Sequence, residues 1–161
     1  MTIAIYPGSF DPVTNGHINL VHRGLRMFDK MVVAVANNSG KKPLFDIDER
    51  MKLLRECLAA EARVEVVSFE GLLVNYAKSR GIYVVLRGLR PVSDFEYEFQ
   101  MANMNRKLSP EIETIFMMTG EEHFYISSSF VREVARLGGS VRELVPEPVY
   151  KKLGERFGNA G

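Results

Sequence analysis

Cysteine is nearly absent from this 161-residue chain, Cys57 being the only one. An intrachain disulfide is excluded, and so is a structural zinc site built on cysteine pairs or Cys/His clusters. A lone cysteine in a helical pattern reads as a small apolar side chain in a reducing compartment. Net charge is nearly absent too: 21 Lys and Arg against 20 Asp and Glu leave a formal +1. Bulk attraction to nucleic acid or to an anionic membrane does not follow, so neither is an expected partner. Any phosphate binding must come from a few focused groups. No apolar run is long enough to span a bilayer. The first residues enter a strand directly, without the basic segment and long apolar stretch of a secretory leader, and the expected location is the cytoplasm. Also missing are the Gly-x-x-x-x-Gly-Lys-Ser/Thr phosphate loop and the Gly-x-Gly-x-x-Gly dinucleotide fingerprint. No covalent nucleophile with a paired base stands out.

What is present is the composition of an ordinary globular protein, with 46% hydrophobic and 25% charged residues. That length suits a single domain, residues 1–161, with one buried core. Short β-branched runs recur at Ile3 to Tyr6, Met31 to Ala36, Val64 to Val67, Ile82 to Leu86 and Thr114 to Met117. They are nearly continuous in apolar residues, as strands of a parallel sheet buried on both faces are. Helical patterns lie between them. His17 to Phe28 puts Leu20, Val21, Leu25 and Phe28 on one face, and Asp46 to Leu58 does the same for Ile47, Met51, Leu54 and Leu58. Leu72 to Ser79 is shorter, and Asp94 to Leu108 carries Phe95, Phe99 and Ala102 at helical spacing. Two more helices follow, near Ser128 to Leu137 and Pro146 to Arg156. Five alternations of strand and helix predict an α/β fold: an open five-stranded parallel sheet flanked by helices, with C-terminal helices. Met27, Met51, Met101, Met104, Met117 and Met118 read as core filler.

Ligands of open α/β sheets bind beyond the carboxyl ends of the strands, and five loops of this chain converge there. The segment Pro7 to His17 joins a strand to a helix start through Gly8, Ser9 and Gly16. Such a turn suits an anion, and His17 stands at its mouth. Asp11 suits a turn as well as a functional acid. Lys41-Lys42-Pro43 follows the second strand, where phosphate binding competes with plain surface charge. Arg87-Gly88-Leu89-Arg90 ends the fourth strand with two arginines able to fork around phosphate oxygens. Glu96 and Glu98 follow, as a solvated face, a structural pair to Arg90 or a ligand contact. Ile126-Ser127-Ser128-Ser129 precedes a helix with more hydroxyls than a cap requires.

Ser9-Phe10-Asp11-Pro12-Val13-Thr14-Asn15-Gly16-His17 resembles the (T/S)FDPxTxGH signature of the nucleotidyltransferases. Within them the chain resembles the bacterial phosphopantetheine adenylyltransferases from about Ile3 to Pro148. The resemblance rests on Lys41-Lys42-Pro43, Leu72-Leu73, Arg87 to Arg90, Asp94-Phe95-Glu96-Tyr97-Glu98, Met104-Asn105-Arg106 and Ile126 to Glu133. It implies a Rossmann-like sheet, Mg2+, a homohexamer, and adenylyl transfer from ATP to 4'-phosphopantetheine in coenzyme A synthesis. By the same resemblance His17 stabilises charge on the α-phosphate. Ser9, Lys41, Leu73 and Arg87 bind the acceptor. Ser9, Phe10, His17, Gly88, Leu89, Arg90, Glu98 and the segment His123, Phe124, Tyr125, Ile126, Ser127, Ser128, Ser129 bind ATP. Ser9 stands where many members have Thr, and His123 where some have Trp. Other small nucleotidyltransferases, acting on nicotinate mononucleotide or glycerol phosphate, and a regulatory module without turnover, are the competing readings.

Overall fold

The computed structural model describes residues 1–37, 42–90 and 95–158. Five strands form one parallel sheet: β1 (Ile3–Gly8), β2 (Lys30–Ala36), β3 (Val64–Phe69), β4 (Val84–Leu89) and β5 (Glu113–Met118), in the order β3-β2-β1-β4-β5. The helices are α1 (Asn15–Gly24), α2 (Ile47–Cys57), α3 (Leu73–Ser79), α4 (Phe95–Leu108), α5 (Ser128–Arg136) and α6 (Glu147–Phe157). The α/β parallel fold expected from the sequence is therefore the fold observed. No described helix is long and apolar enough to cross a membrane.

Alternation along each strand divides the core into two layers. Ala4 and Tyr6 of β1 and Met31, Val33 and Val35 of β2 face α1, α2, α5 and α6. Ile5, Val32, Ala34 and Val85 face the other way, onto Val74 and Ala77 of α3. Strands covered on both faces need apolar residues at nearly every position, which is why these runs read as continuous. Helices α1 and α2 follow β1 and β2 on one face, and α3 then carries the chain across to β4 on the far side of β1. The strand order thus reverses between β1 and β4, and a crevice opens beyond their carboxyl ends.

Three details differ from expectation. Helix α1 starts at Asn15 and ends at Gly24, so Leu25 and Phe28 are buried from the turn that follows rather than from the helix. Strand β4 begins at Val84, and Ile82 packs under α3 before it. Of the six methionines expected as core filler, Met51 and Met117 are buried, whereas Met27, Met101, Met104 and Met118 are exposed. Met27 lies in the turn after α1 and Met118 at the end of strand β5. Met101 and Met104 sit on α4, whose apolar side chains join neither core layer. Along that helix Phe95, Tyr97, Phe99, Met101, Met104 and Leu108 are all exposed, and Glu98 is buried.

Candidate active site

The crevice between β1 and β4 is a cavity of about 850 Å3. Its wall comes from every loop at the carboxyl edge except the one before α3. The β1–α1 turn supplies Gly8, Ser9, Phe10, Asp11, Thr14, Gly16 and His17. Strand β4 supplies Arg87 and Gly88, the residue after it Arg90, and α4 supplies Tyr97 and Glu98. The α5 side supplies Thr119, His123, Ile126, Ser127, Ser128, Ser129 and Arg132.

The start of α1 explains how His17 is held. Thr14 is the N-cap, with extended backbone, and its hydroxyl oxygen accepts the His17 N–H at 3.4 Å. In return the His17 ring closes a capping box: Nδ1 accepts the Thr14 backbone N–H at 3.0 Å. A backbone amide can only donate, so Nδ1 carries no proton and the neutral ring bears its proton on Nε2. Burial, then the charges of Arg90 and Arg87, push the His17 pKa down to about 4. At neutral pH the group is an uncharged Nε2–H donor. Phe10 and Tyr6 fix the ring from the sides, with centroids 5.0 and 6.3 Å away. Phe10 holds a left-handed backbone, φ 49°. A non-glycine residue is rarely placed there, and such strain gathers at functional turns. Its ring is buried, so what it offers the cavity beyond that packing is backbone.

Arg87 is a fork already engaged. Its Nε and Nη2 donate to the two carboxylate oxygens of Glu98, and Nη1 donates to the Pro7 carbonyl at 2.8 Å. Glu98 is therefore a partner for Arg87, where the sequence suggests Arg90. Gly88, beside it, is required by packing: a Cβ there would stand 2.7 Å from Cδ1 of Leu20 on α1. Close approach of β4 to α1 accounts for the glycine.

Two of the three serines are committed. Ser127 caps α5 by accepting the Phe130 N–H at 3.1 Å, and the Ser128 hydroxyl donates to the Pro12 carbonyl at 2.7 Å. The start of α5 lines the cavity, and a helix start leaves amides without intrahelical partners. Asp11 resolves as a structural acid. Its carboxylate accepts the Leu44 N–H at 2.8 Å and the Phe45 N–H at 2.9 Å, and Arg132 stands 3.8 Å away.

Of the residues expected from the sequence, Ser9, Phe10, His17, Arg87, Gly88, Arg90, Glu98, His123, Ile126, Ser127, Ser128 and Ser129 meet in this cavity. Leu73, Leu89, Phe124 and Tyr125 are not in its wall. Leu73 packs against the core layer under α3, and Phe124 and Tyr125 are exposed with their rings edge to face. Lys41 lies outside the described residues, while its neighbour Lys42 lines the cavity. Sequence reasoning missed Arg50 and Arg132. Arg50 has a legible signal, because it stands three residues after Ile47 and four before Leu54, on the apolar face of α2.

Comparison with known proteins follows the same geometry. The cytidylyltransferase-like family model matches residues 5–134. Phosphopantetheine adenylyltransferase of Anaeromyxobacter sp. (strain K) is 60% identical over 155 residues, covering 96% of this chain and 94% of that protein. The enzyme of the same name from Carboxydothermus hydrogenoformans is 53% identical over 161 residues, 100% of this chain and 99% of that one. Among solved structures, a Vibrio parahaemolyticus protein assigned as a nicotinate-nucleotide adenylyltransferase superposes with TM-score 0.66 over 95% of this chain and 99% of that one. At 17% identity that likeness establishes a shared Rossmann-like fold and nothing finer. With a sheet of this order, a signature histidine at its crevice and these relatives, the chain belongs to the phosphopantetheine adenylyltransferase family of the cytidylyltransferase-like nucleotidyltransferases.

Proposed function

We propose that this chain transfers the adenylyl group of ATP to 4'-phosphopantetheine, giving dephospho-coenzyme A and pyrophosphate, the penultimate step of coenzyme A biosynthesis. The observation that carries the reading is His17: a half-buried, neutral Nε2–H donor, flanked by Arg87 and Arg90, facing one cavity with the start of α5. A phosphate oxygen of the acceptor attacks the α-phosphorus of ATP, and the bond to the β-phosphate bridging oxygen breaks. The acceptor phosphate is already anionic near neutral pH, so no general base is required. That explains why no paired base and nucleophile stand out. Catalysis is then positioning and charge stabilisation, with His17 donating to an α-phosphate oxygen as charge builds there.

The remaining roles follow the family pattern. Ser9, Lys41, Leu73 and Arg87 hold the acceptor. Phe10, Gly88, Leu89, Arg90, Glu98 and the segment 123–129 hold ATP, Ser9 and His17 touching it as well. The residues present do not build a Mg2+ site of their own. No three His, Cys, Asp or Glu among the described residues could share a metal, and Asp11 and Glu98 are committed to amides and to Arg87. Mg2+ enters this reading as a companion of the ATP phosphates, which supply its ligands, and no step depends on a protein ligand to it. Residues 1–161 act as one nucleotidyltransferase domain in the cytoplasm. Copies associate as a homohexamer, a reading supported by the uncovered apolar side chains along α4.

The test is pyrophosphate release from ATP. Release that begins only when 4'-phosphopantetheine is added is the expected result. Release with nicotinate mononucleotide instead, or none with any acceptor, would overturn the assignment.

A further inference from the structure

Arg50 has no role in the reading above, yet it is among the most buried charges of the molecule, 5% exposed. It projects from the first turn of α2 to the cavity wall. Its Nη1 donates to the carbonyls of Ser9 at 2.9 Å and Ala36 at 3.1 Å, and its Nε to those of Phe45 at 3.1 Å and Asp46 at 3.3 Å. One guanidinium edge thus joins the β1–α1 turn, the end of β2 and the entry to α2. Asp11 completes the clamp by accepting the Leu44 and Phe45 amides, so Phe45 is held through both its N–H and its carbonyl.

Two features say that the arginine is more than a clamp. Carbonyl dipoles are its only partners; among the described residues no carboxylate lies within ion-pair distance. A guanidinium stays charged at any physiological pH, and a buried charge without a counterion is unfavourable. Its Nη2, with two N–H donors, takes part in none of the bonds to Ser9, Ala36, Phe45 and Asp46. The residue lines the cavity with Nη2 uncommitted.

Its neighbours say which anion. Arg50 is tied to Ser9 and to the end of β2, Lys42 beside it in the wall stands next in sequence to Lys41, and Arg87 reaches the same turn through the Pro7 carbonyl, so the residues assigned to the acceptor gather around it. We propose that Arg50 is a phosphate-binding residue of the acceptor subsite, contacting the phosphoryl group through Nη2 while its other edge holds the Ser9 and Phe45 carbonyls in place. This rests on the adenylyl-transfer reading for the identity of the acceptor.

Calorimetric titration of the whole protein with 4'-phosphopantetheine, with pantetheine and with ATP separates a phosphate contact from structural support. In Arg50→Met, affinity for 4'-phosphopantetheine falls tenfold or more, its KM rises in step, and pantetheine and ATP affinities stay within twofold of wild type. Arg50→Lys, which keeps the charge and loses the fork, falls between the two and serves if the methionine variant does not fold. Equal losses for phosphorylated and unphosphorylated ligand would overturn the proposal, as would a loss confined to ATP or no loss at all. Should wild type bind no 4'-phosphopantetheine, the reaction assigned above fails instead. Arg50 is then judged by titration with inorganic phosphate, and unchanged binding by Arg50→Met overturns it.

Discussion

Nδ1 of His17 accepts the backbone N–H of Thr14, 3.0 Å away, and this one bond decides the chemistry of the ring. It leaves the proton on Nε2 and makes the histidine a neutral donor. Nitrogen-15 NMR should show the Nε2–H tautomer at pH 7 and a midpoint near pH 4 in the free protein. A midpoint near 6.5 would remove that account. His17→Ala should lower kcat about a hundred-fold, the scale of one lost transition-state donor; a near-normal kcat would remove the role.

The same depressed pKa makes stability fall in acid. The unfolded chain takes up a proton near pH 6.5, while the folded ring resists it down to about 4. Stability is therefore fully present above pH 6.5 and declines as pH drops toward 4, by about 3 kcal/mol from this group. His17→Asn should lose less stability between pH 6.5 and 4 than wild type in chemical denaturation.

Arg87→Ala should raise KM for 4'-phosphopantetheine about tenfold or more with a smaller change for ATP. It should also cost about 3 kcal/mol of stability by leaving the Glu98 carboxylate buried and alone. Adding Glu98→Gln should return part of that stability without restoring KM. A KM effect confined to ATP would contradict the assignment of Arg87 to the acceptor.

Gly88→Ala should destabilise by about 1–3 kcal/mol, because the new methyl overlaps Leu20 across the β4–α1 contact. Leu20→Ala should then cost less in that background than in wild type, a coupling that a double-mutant cycle reads directly. Additive costs would mean that the strand and the helix adjust independently.

Light scattering should give a mass near six chains for wild type. Phe99→Ser with Met104→Ser, which removes apolar surface from α4, should shift the protein toward smaller species. A wild-type monomer would overturn the hexamer.

Much of this molecule was legible before any coordinates. The five apolar runs became the five strands, those in the middle of the sheet covered on both faces, and Arg87 declared itself at a strand end and His17 at a helix start. Other features needed the third dimension. Glu98 shows no preference in the sequence between solvent, Arg90 and a ligand; the pairing with Arg87 follows from where α4 lies over β4. Asp11 read equally as turn and acid until the amides of Leu44 and Phe45, more than thirty positions on, were found against it. The methionines of α4 misled because a helical apolar pattern indicates burial without saying whether this chain or another supplies the cover. Cys57 behaved as its isolation suggests: burial pushes its thiol up to about 11, which keeps it protonated and unreactive.

The central place of β1 bears on how the protein comes to life. Arg87 reaches the Pro7 carbonyl across 80 positions of chain, so the first strand waits for the fourth before the crevice exists. A chain that ended after β3 would contain Ser9, His17 and Arg50 but no pocket. The pocket therefore depends on the most non-local pairing in the sheet, that of β1 with β4. Bound nucleotide should accordingly slow hydrogen exchange at the amides of β1 and β4 together, as one cooperative unit.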